Sequence, residues 1–137
     1  MYKLNLPYLS ERIRGFTLSD DGVMCVFDYD EVFRIKLSDS FLAVEVLDDN
    51  PYDFEEQNLD FFGVSDRKPI CQLGDFKLSY QFNPYADFQD VILQSPEQCE
   101  TQRFRTFSGD WFVATFSPCG KYLVMAEPYL IEVYLLQ

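Results

Sequence analysis

Trp111-Phe-Val-Ala-Thr-Phe-Ser-Pro-Cys-Gly-Lys-Tyr-Leu-Val124 sets the reading of the whole chain. Two apolar runs flank Ser117-Pro-Cys-Gly120, where proline fixes one backbone angle and glycine accepts a positive φ. The segment therefore predicts a tight β-hairpin. The pattern also stands 98 residues earlier, where Thr17-Leu-Ser-Asp-Asp-Gly22 aligns with Thr115-Phe-Ser-Pro-Cys-Gly120. Past the turns, Cys25 and Phe27 align with Leu123 and Met125, and Phe33, Ile35 and Leu37 with Ile131, Val133 and Leu135. A strand sends alternate residues to one side, so both copies are expected to face one core.

Outward from this repeat, aromatic and β-branched runs between turn signals predict strands over 14–18, 23–28, 31–37, 41–47, 70–73, 76–82, 88–93, 103–107, 111–116, 121–126 and 130–136. Asn50 followed by Pro51, with acids in the first turn, predicts a short helix. Ser95-Pro96 with Gln98 has the pattern of a second helix start. Trp111, the single tryptophan, opens an apolar run and is expected in the core. Arg103 and Arg105 alternate and should share one strand face, as a solvated edge or as internal salt-bridge partners for the acidic half. No linker divides the sequence, so residues 1–137 read as a single domain.

The 111–136 segment resembles the hairpin of a WD-repeat-like propeller blade, in which an apolar strand runs into an F-S-P-D-G-K-Y-L turn. It departs from that family in carrying Cys119 where aspartate is usual, and it lacks the G-H and W-D signatures. A blade takes about 40–45 residues and closure needs about four blades or more, whereas 137 residues hold about three. The expected fold is thus mainly β: antiparallel blade-like hairpins in a small sandwich or partly open barrel, with one or two short helices, and not a closed propeller.

Charge supplies the functional signal. The chain has 23 acidic and 11 basic residues, a net charge of -12, and no histidine. Histidine-based triads and histidine-bearing zinc sites are excluded on that ground. The aromatic content of 18% excludes a disordered acidic tail. No apolar run approaches the roughly 18–20 residues of a membrane-spanning helix, and the N-terminus through Pro7 lacks the basic flank and apolar region of a signal peptide. Direct nucleic-acid binding needs basic surface and is disfavoured. Cys25, Cys71, Cys99 and Cys119 form no C-x-x-C pair and read as reduced thiols of a cytoplasmic protein. Cys25 is expected in the core and Cys119 exposed in a turn.

The excess charge is segregated. Asp20 to Asp66 holds 14 acidic residues and only Arg34 and Lys36 as bases, a net of -12; the remainder of the chain sums to zero. The densest part is Asp48, Asp49, Tyr52, Asp53, Phe54, Glu55, Glu56 and Asp60, with Phe61 and Phe62 beside it. Carboxylates and aromatic anchors together fit a face for a basic protein partner, because charge speeds approach and aromatics supply affinity. The alternative is a solvated helix whose acids favour its N-terminus while the aromatics turn inward. The spacing lacks the rhythm, central glycine and terminal glutamate of an EF-hand loop, and no metal or cofactor is expected.

In size and charge the chain is similar to the small acidic immunity proteins of bacterial toxin systems. That similarity implies a cytoplasmic, non-enzymatic inhibitor that occludes a basic partner such as a toxin nuclease domain. Three alternatives share the composition: a nucleic-acid mimic of phage origin of the anti-CRISPR or anti-restriction type, a WD-like structural interaction module, and a hydrolase built on paired carboxylates.

Overall fold

The computed structural model describes residues 1–6, 12–38, 42–65 and 67–136. Asp39, Asp66 and the first residue of the strand expected over 41–47 lie outside them. Within the described residues, alternation of apolar and polar side chains produces three antiparallel sheets. The first is built from β2 (Gly15–Leu18), β3 (Val23–Phe27), β4 (Val32–Lys36) and β5 (Ala43–Leu47), with the two-residue β6 (Phe62–Gly63) added beside β2. The second contains β7 (Gln72–Leu73), β8 (Phe76–Ser79), β9 (Phe88–Gln94) and β10 (Cys99–Arg105) in meander order. The third joins β11 (Val113–Phe116), β12 (Tyr122–Glu127) and β13 (Leu130–Leu135), and takes β1 (Tyr2–Leu4) as its far edge through the pairs Tyr2↔Leu135 and Leu4↔Val133.

The third sheet is the middle layer. One of its faces, with Val113, Val124, Ala126 and Val133, shares a core with Phe16, Leu18, Met24, Val26 and Ile35 of the first sheet. Its other face, with Ala114, Phe116, Leu123 and Met125, shares a second core with Leu78, Val91, Leu93 and Phe104 of the second sheet. Covering both faces explains why every residue of β12 is buried, whereas β9 alternates exposed and buried along its length. The mainly β, open sandwich expected from the patterning is therefore what forms, as three layers.

The repeat forms two hairpins whose turns match in detail. Ser19 N–H bonds to Val23 O at 2.9 Å and Gly22 N–H to Ser19 O at 3.3 Å; Ser117 N–H bonds to Tyr122 O at 2.9 Å and Gly120 N–H to Ser117 O at 3.0 Å. Gly22 and Gly120 both adopt positive φ, 81° and 80°. The second turn holds one extra residue, Lys121, so the strands after it are equivalent one position later than the sequence alignment places them. Ile35, Leu37 and Val133 enter the first core, packed with Ile131 and Leu135, but the one core expected for both copies does not form. Leu123 and Met125 face the second core, and Phe27 with Cys25 packs in a third, because these alternate positions lie on the face of each hairpin turned away from the first core.

Two expectations are corrected. No helix forms at Ser95: the segment is a hairpin turn, in which Ser95 N–H bonds to Gln98 O and Gln98 N–H to the Ser95 hydroxyl. The capping pattern is spent on closing the β9–β10 connection, and β10 begins at Cys99 instead of 103. Two strands were not expected, β1 and β6, each too short to show a period.

Candidate partner-binding face

Helix α1 (Pro51–Gln57) starts as its residues dictate. The Asn50 side-chain oxygen accepts the Tyr52 and Asp53 N–H groups at 2.9 and 3.3 Å, Pro51 sits where no N–H is needed, and Asp53 favours the first turn. One side of the helix then faces the sheet. Phe54 and Phe61 pack on Phe27, with ring centroids 5.5 and 5.0 Å apart, in a small core with Val32. Phe62 stacks on Phe16. Phe54, Phe61 and Phe62 are thus interior residues, and among the expected aromatic anchors only Tyr52, 51% exposed, is presented to solvent. Asp48, Asp49, Asp53, Glu56 and Asp60 are exposed, and Glu55 is half-buried.

Strand register gathers more on this end of the first sheet. Gly15 pairs with Phe27 and Val32 with Leu47, so residue 14, the 28–31 turn and the 48–60 segment meet there. Asp20 and Asp21 lie in the β2–β3 turn, at the opposite end. The acidic run of the sequence is therefore split between two ends. The turn after β12 joins the first of these ends, because Ile13 N–H bonds to Pro128 O at 2.8 Å.

At this end tyrosines and arginines alternate. The Arg14 guanidinium carbon lies 4.6 Å from the centroid of Tyr52, 5.3 Å from Tyr29 and 5.6 Å from Phe27. Its Nη2 donates to Glu55 Oε1 at 2.5 Å. Arg12 lies 5.4 Å over Tyr129, donates to its hydroxyl at 3.0 Å and is ion-paired with Asp110. That hydrogen bond raises the Arg12 pKa against an opposing effect of burial, and Tyr29 acts in the same direction. Tyr129, Arg12, Tyr29, Arg14 and Tyr52 form one row, with Asp110 and Glu55 near its two ends. The three tyrosines are 51%, 46% and 51% exposed, so each shows solvent a ring whose orientation an arginine restrains.

Two buried carboxylates shape the turns that carry the row. Asp28 Oδ1 accepts Asp30 and Glu31 N–H at 2.7 and 2.6 Å, which folds the turn presenting Tyr29. Glu127 Oε1 accepts Phe107 and Ser108 N–H at 2.6 and 3.1 Å, and its other oxygen accepts Tyr129 N–H. They occupy equivalent places in the two hairpins, Asp28 just past the end of β3 and Glu127 as the last residue of β12. Each buried side chain thereby has an oxygen satisfied by backbone N–H groups where water is excluded.

Sequence reasoning missed this row because its members are 117 residues apart at the extreme, and only Tyr52 belonged to the acidic patch. The usable signal was the repeat itself, which puts Tyr29 and Tyr129 in corresponding turns. Arg103 and Arg105 both lie exposed on β10, an edge strand of its sheet, as the solvated-edge reading expects. Arg103 pairs with Asp90 at 3.0 Å on the next strand, within the neutral half, which lowers the Asp90 pKa. Cys25 is half-buried, with its thiol pKa raised by burial. Cys119 is also only partly exposed, 3.2 Å from the Ser117 hydroxyl.

Among the described residues Glu55, Asp60 and Glu45 pair with Arg14, Arg67 and Arg34, whereas Asp30, Glu31, Asp48, Asp49, Asp53 and Glu56 make no ion pair. No cluster of three or more acidic or thiol side chains among the described residues is placed to hold a metal ion, and no helix is long and apolar enough to cross a membrane. No family model, no curated protein and no solved structure matches the chain.

Proposed function

We propose that the chain is an acidic binding protein that neutralises a basic protein partner by covering its active or nucleic-acid-binding site, in the manner of a cytoplasmic toxin-immunity protein. The observation that carries this reading is the coincidence of two features at one end of the molecule: six carboxylates that make no ion pair among the described residues and a row of half-exposed tyrosines braced by arginines. Carboxylates stand where a nuclease binds phosphate, and they accelerate and orient encounter. Tyrosine supplies large contact area at low entropy cost, and bracing lowers that cost further. Phe54 acts from beneath, as the residue that seats α1.

The test is capture from cells of the source organism at low and at high salt, using the wild-type chain, an Asp48→Lys/Asp49→Lys/Glu56→Lys variant, and Tyr52→Ala. A basic protein whose enzymatic activity the wild type inhibits, and which both variants release, is the expected result. Capture indifferent to the charge reversal, or a neutral scaffold held at high salt, sinks the reading and favours a structural module.

A further inference from the structure

Beside the tyrosine row lies a cleft of about 460 Å³, lined by Arg12, Tyr29, Val64, Phe82, Asp110, Trp111 and Phe112 among others. Its volume falls within the roughly 300–1,000 Å³ of ligand-sized pockets. Its walls are built by residues from all three sheets' connections. Tyr29 comes from the β3–β4 turn, Val64 from the segment after β6, Phe82 from the segment after β8, and Trp111 and Phe112 from the lead into β11. The floor is stiff. Phe112 contacts the rings of Tyr80, Phe82 and Phe104 at centroid distances of 5.3, 6.2 and 5.2 Å. The chain after Phe82 is held where Gln89 exchanges hydrogen bonds with both the N–H and the carbonyl of Asn83.

We propose that this cleft receives an aromatic side chain carried on a basic segment of the protein partner. The inference rests on the acidic-binding reading and deepens it. The two charged groups in the lining, Arg12 and Asp110, are paired with each other, so the cleft itself is close to neutral and selects for an uncharged group. Four of the lining residues are aromatic; Trp111 and Phe112 form the buried base, and Tyr29 and Phe82 present the ring surface that suits an edge or offset contact. Val64, 55% exposed, adds apolar surface to the lining. On the Tyr29 side of this neutral slot the charge without an ion pair among the described residues is negative: Asp30 and Glu31 follow Tyr29 directly, and α1 joins through Tyr52 and Arg14, whose charge Glu55 balances. A ring in the slot flanked by lysines or arginines satisfies both parts, the arrangement of an anchor inside a charged rim.

Trp111, the sole tryptophan, is a built-in reporter. Its fluorescence, excited at a wavelength that spares tyrosine, is titrated with three five-residue peptides: Lys-Lys-Phe-Lys-Lys, Lys-Lys-Ala-Lys-Lys and Glu-Glu-Phe-Glu-Glu, all with blocked ends. The expected result is saturable binding of the first, about tenfold or more weaker binding of the second, and none of the third. Val64→Tyr, at an exposed position, should abolish the difference between the first two while leaving thermal stability unchanged. Equal binding of the two cationic peptides overturns the inference and leaves the acidic face standing. Failure of both cationic peptides to bind overturns the inference and the acidic-binding reading with it.

Discussion

Arg14 carries more of the candidate face than any other residue, and its environment decides what its loss would do. Its side chain is only 10% exposed, and it balances Glu55, 28% exposed, while lying against Tyr52, Tyr29 and Phe27. Arg14→Met would keep the apolar stem and leave Glu55 without its cation. The expected cost is about 2 kcal/mol, below the roughly 3–5 kcal/mol of a fully buried broken pair because Glu55 keeps contact with water. Arg14→Lys should recover less than half of it, since an ammonium neither stacks flat nor forks. Urea unfolding measures both, and the ring resonances of Tyr52 should shift in each variant. Tyr134 offers a test at the other extreme of pH. Burial first, and then its 2.8 Å hydrogen bond to Glu132, raises its phenol well above the ordinary value of 10.0. Below that value both folded and unfolded chains hold the proton, so the contribution is complete. As pH rises past it, the unfolded chain ionises first and stability falls. Urea midpoints at pH 9 and 11 should drop less in Tyr134→Phe than in the wild type. An equal drop would show that Tyr134 does not govern alkaline stability.

Among the elements, β6 illustrates how a two-residue strand can hold a site together. Gly63 has φ of 134° and pairs with Gly15. A Cβ there would sit 2.5 Å from Arg14 O and 2.7 Å from Gly15 Cα, both backbone atoms that cannot swing aside. Gly63→Ala should therefore cost about 3 kcal/mol from strain and overpacking combined, and it should displace Arg14 and so loosen α1. Circular dichroism melts would show the first effect, and loss of the Tyr52 ring shift the second; a melt unchanged from wild type would contradict the geometry. The same element marks where sequence reading stops. The hairpins and the Asn50–Pro51 helix start are legible because turn glycines and caps act within a few residues. Strand β6 is not, because nothing in Phe62-Gly63 says which strand it will meet. Nor is β1, which is recruited by β13 from the far end of the chain. Burial of both faces of β12 reads in sequence as one apolar run, from Tyr122 to Ala126, and cannot reveal how many layers enclose it. For the site, the acidic half is legible as composition. Which aromatics face outward depends on how α1 lands, and that is why Phe54 and Tyr52, two residues apart, go opposite ways.

At the scale of the whole molecule, the open question is whether the concentrated charge is structural or functional, and the two leave different thermodynamic traces. Carboxylates at Asp48, Asp49 and Glu56 make no ion pairs among the described residues and stand near further acids. Like charges held together in the folded chain oppose folding, by an amount that salt screens, since the Debye length shrinks to about 10 Å at 0.1 M ionic strength. Asp53 is different, because it favours the first turn of α1 and should be left in place. An Asp48→Asn/Asp49→Asn/Glu56→Gln variant should therefore melt a few degrees higher than the wild type in about 20 mM salt, a gain of roughly 0.5–1.5 kcal/mol. That gain should vanish near 0.5 M salt, where the wild type catches up. Acids kept at a cost in stability are what a working surface requires, and the same variant should then bind the cationic aromatic peptide more weakly although it is the more stable protein. A variant that melts lower at low salt would mean that these carboxylates support the fold, and the charge of the 48–56 segment would belong to structure.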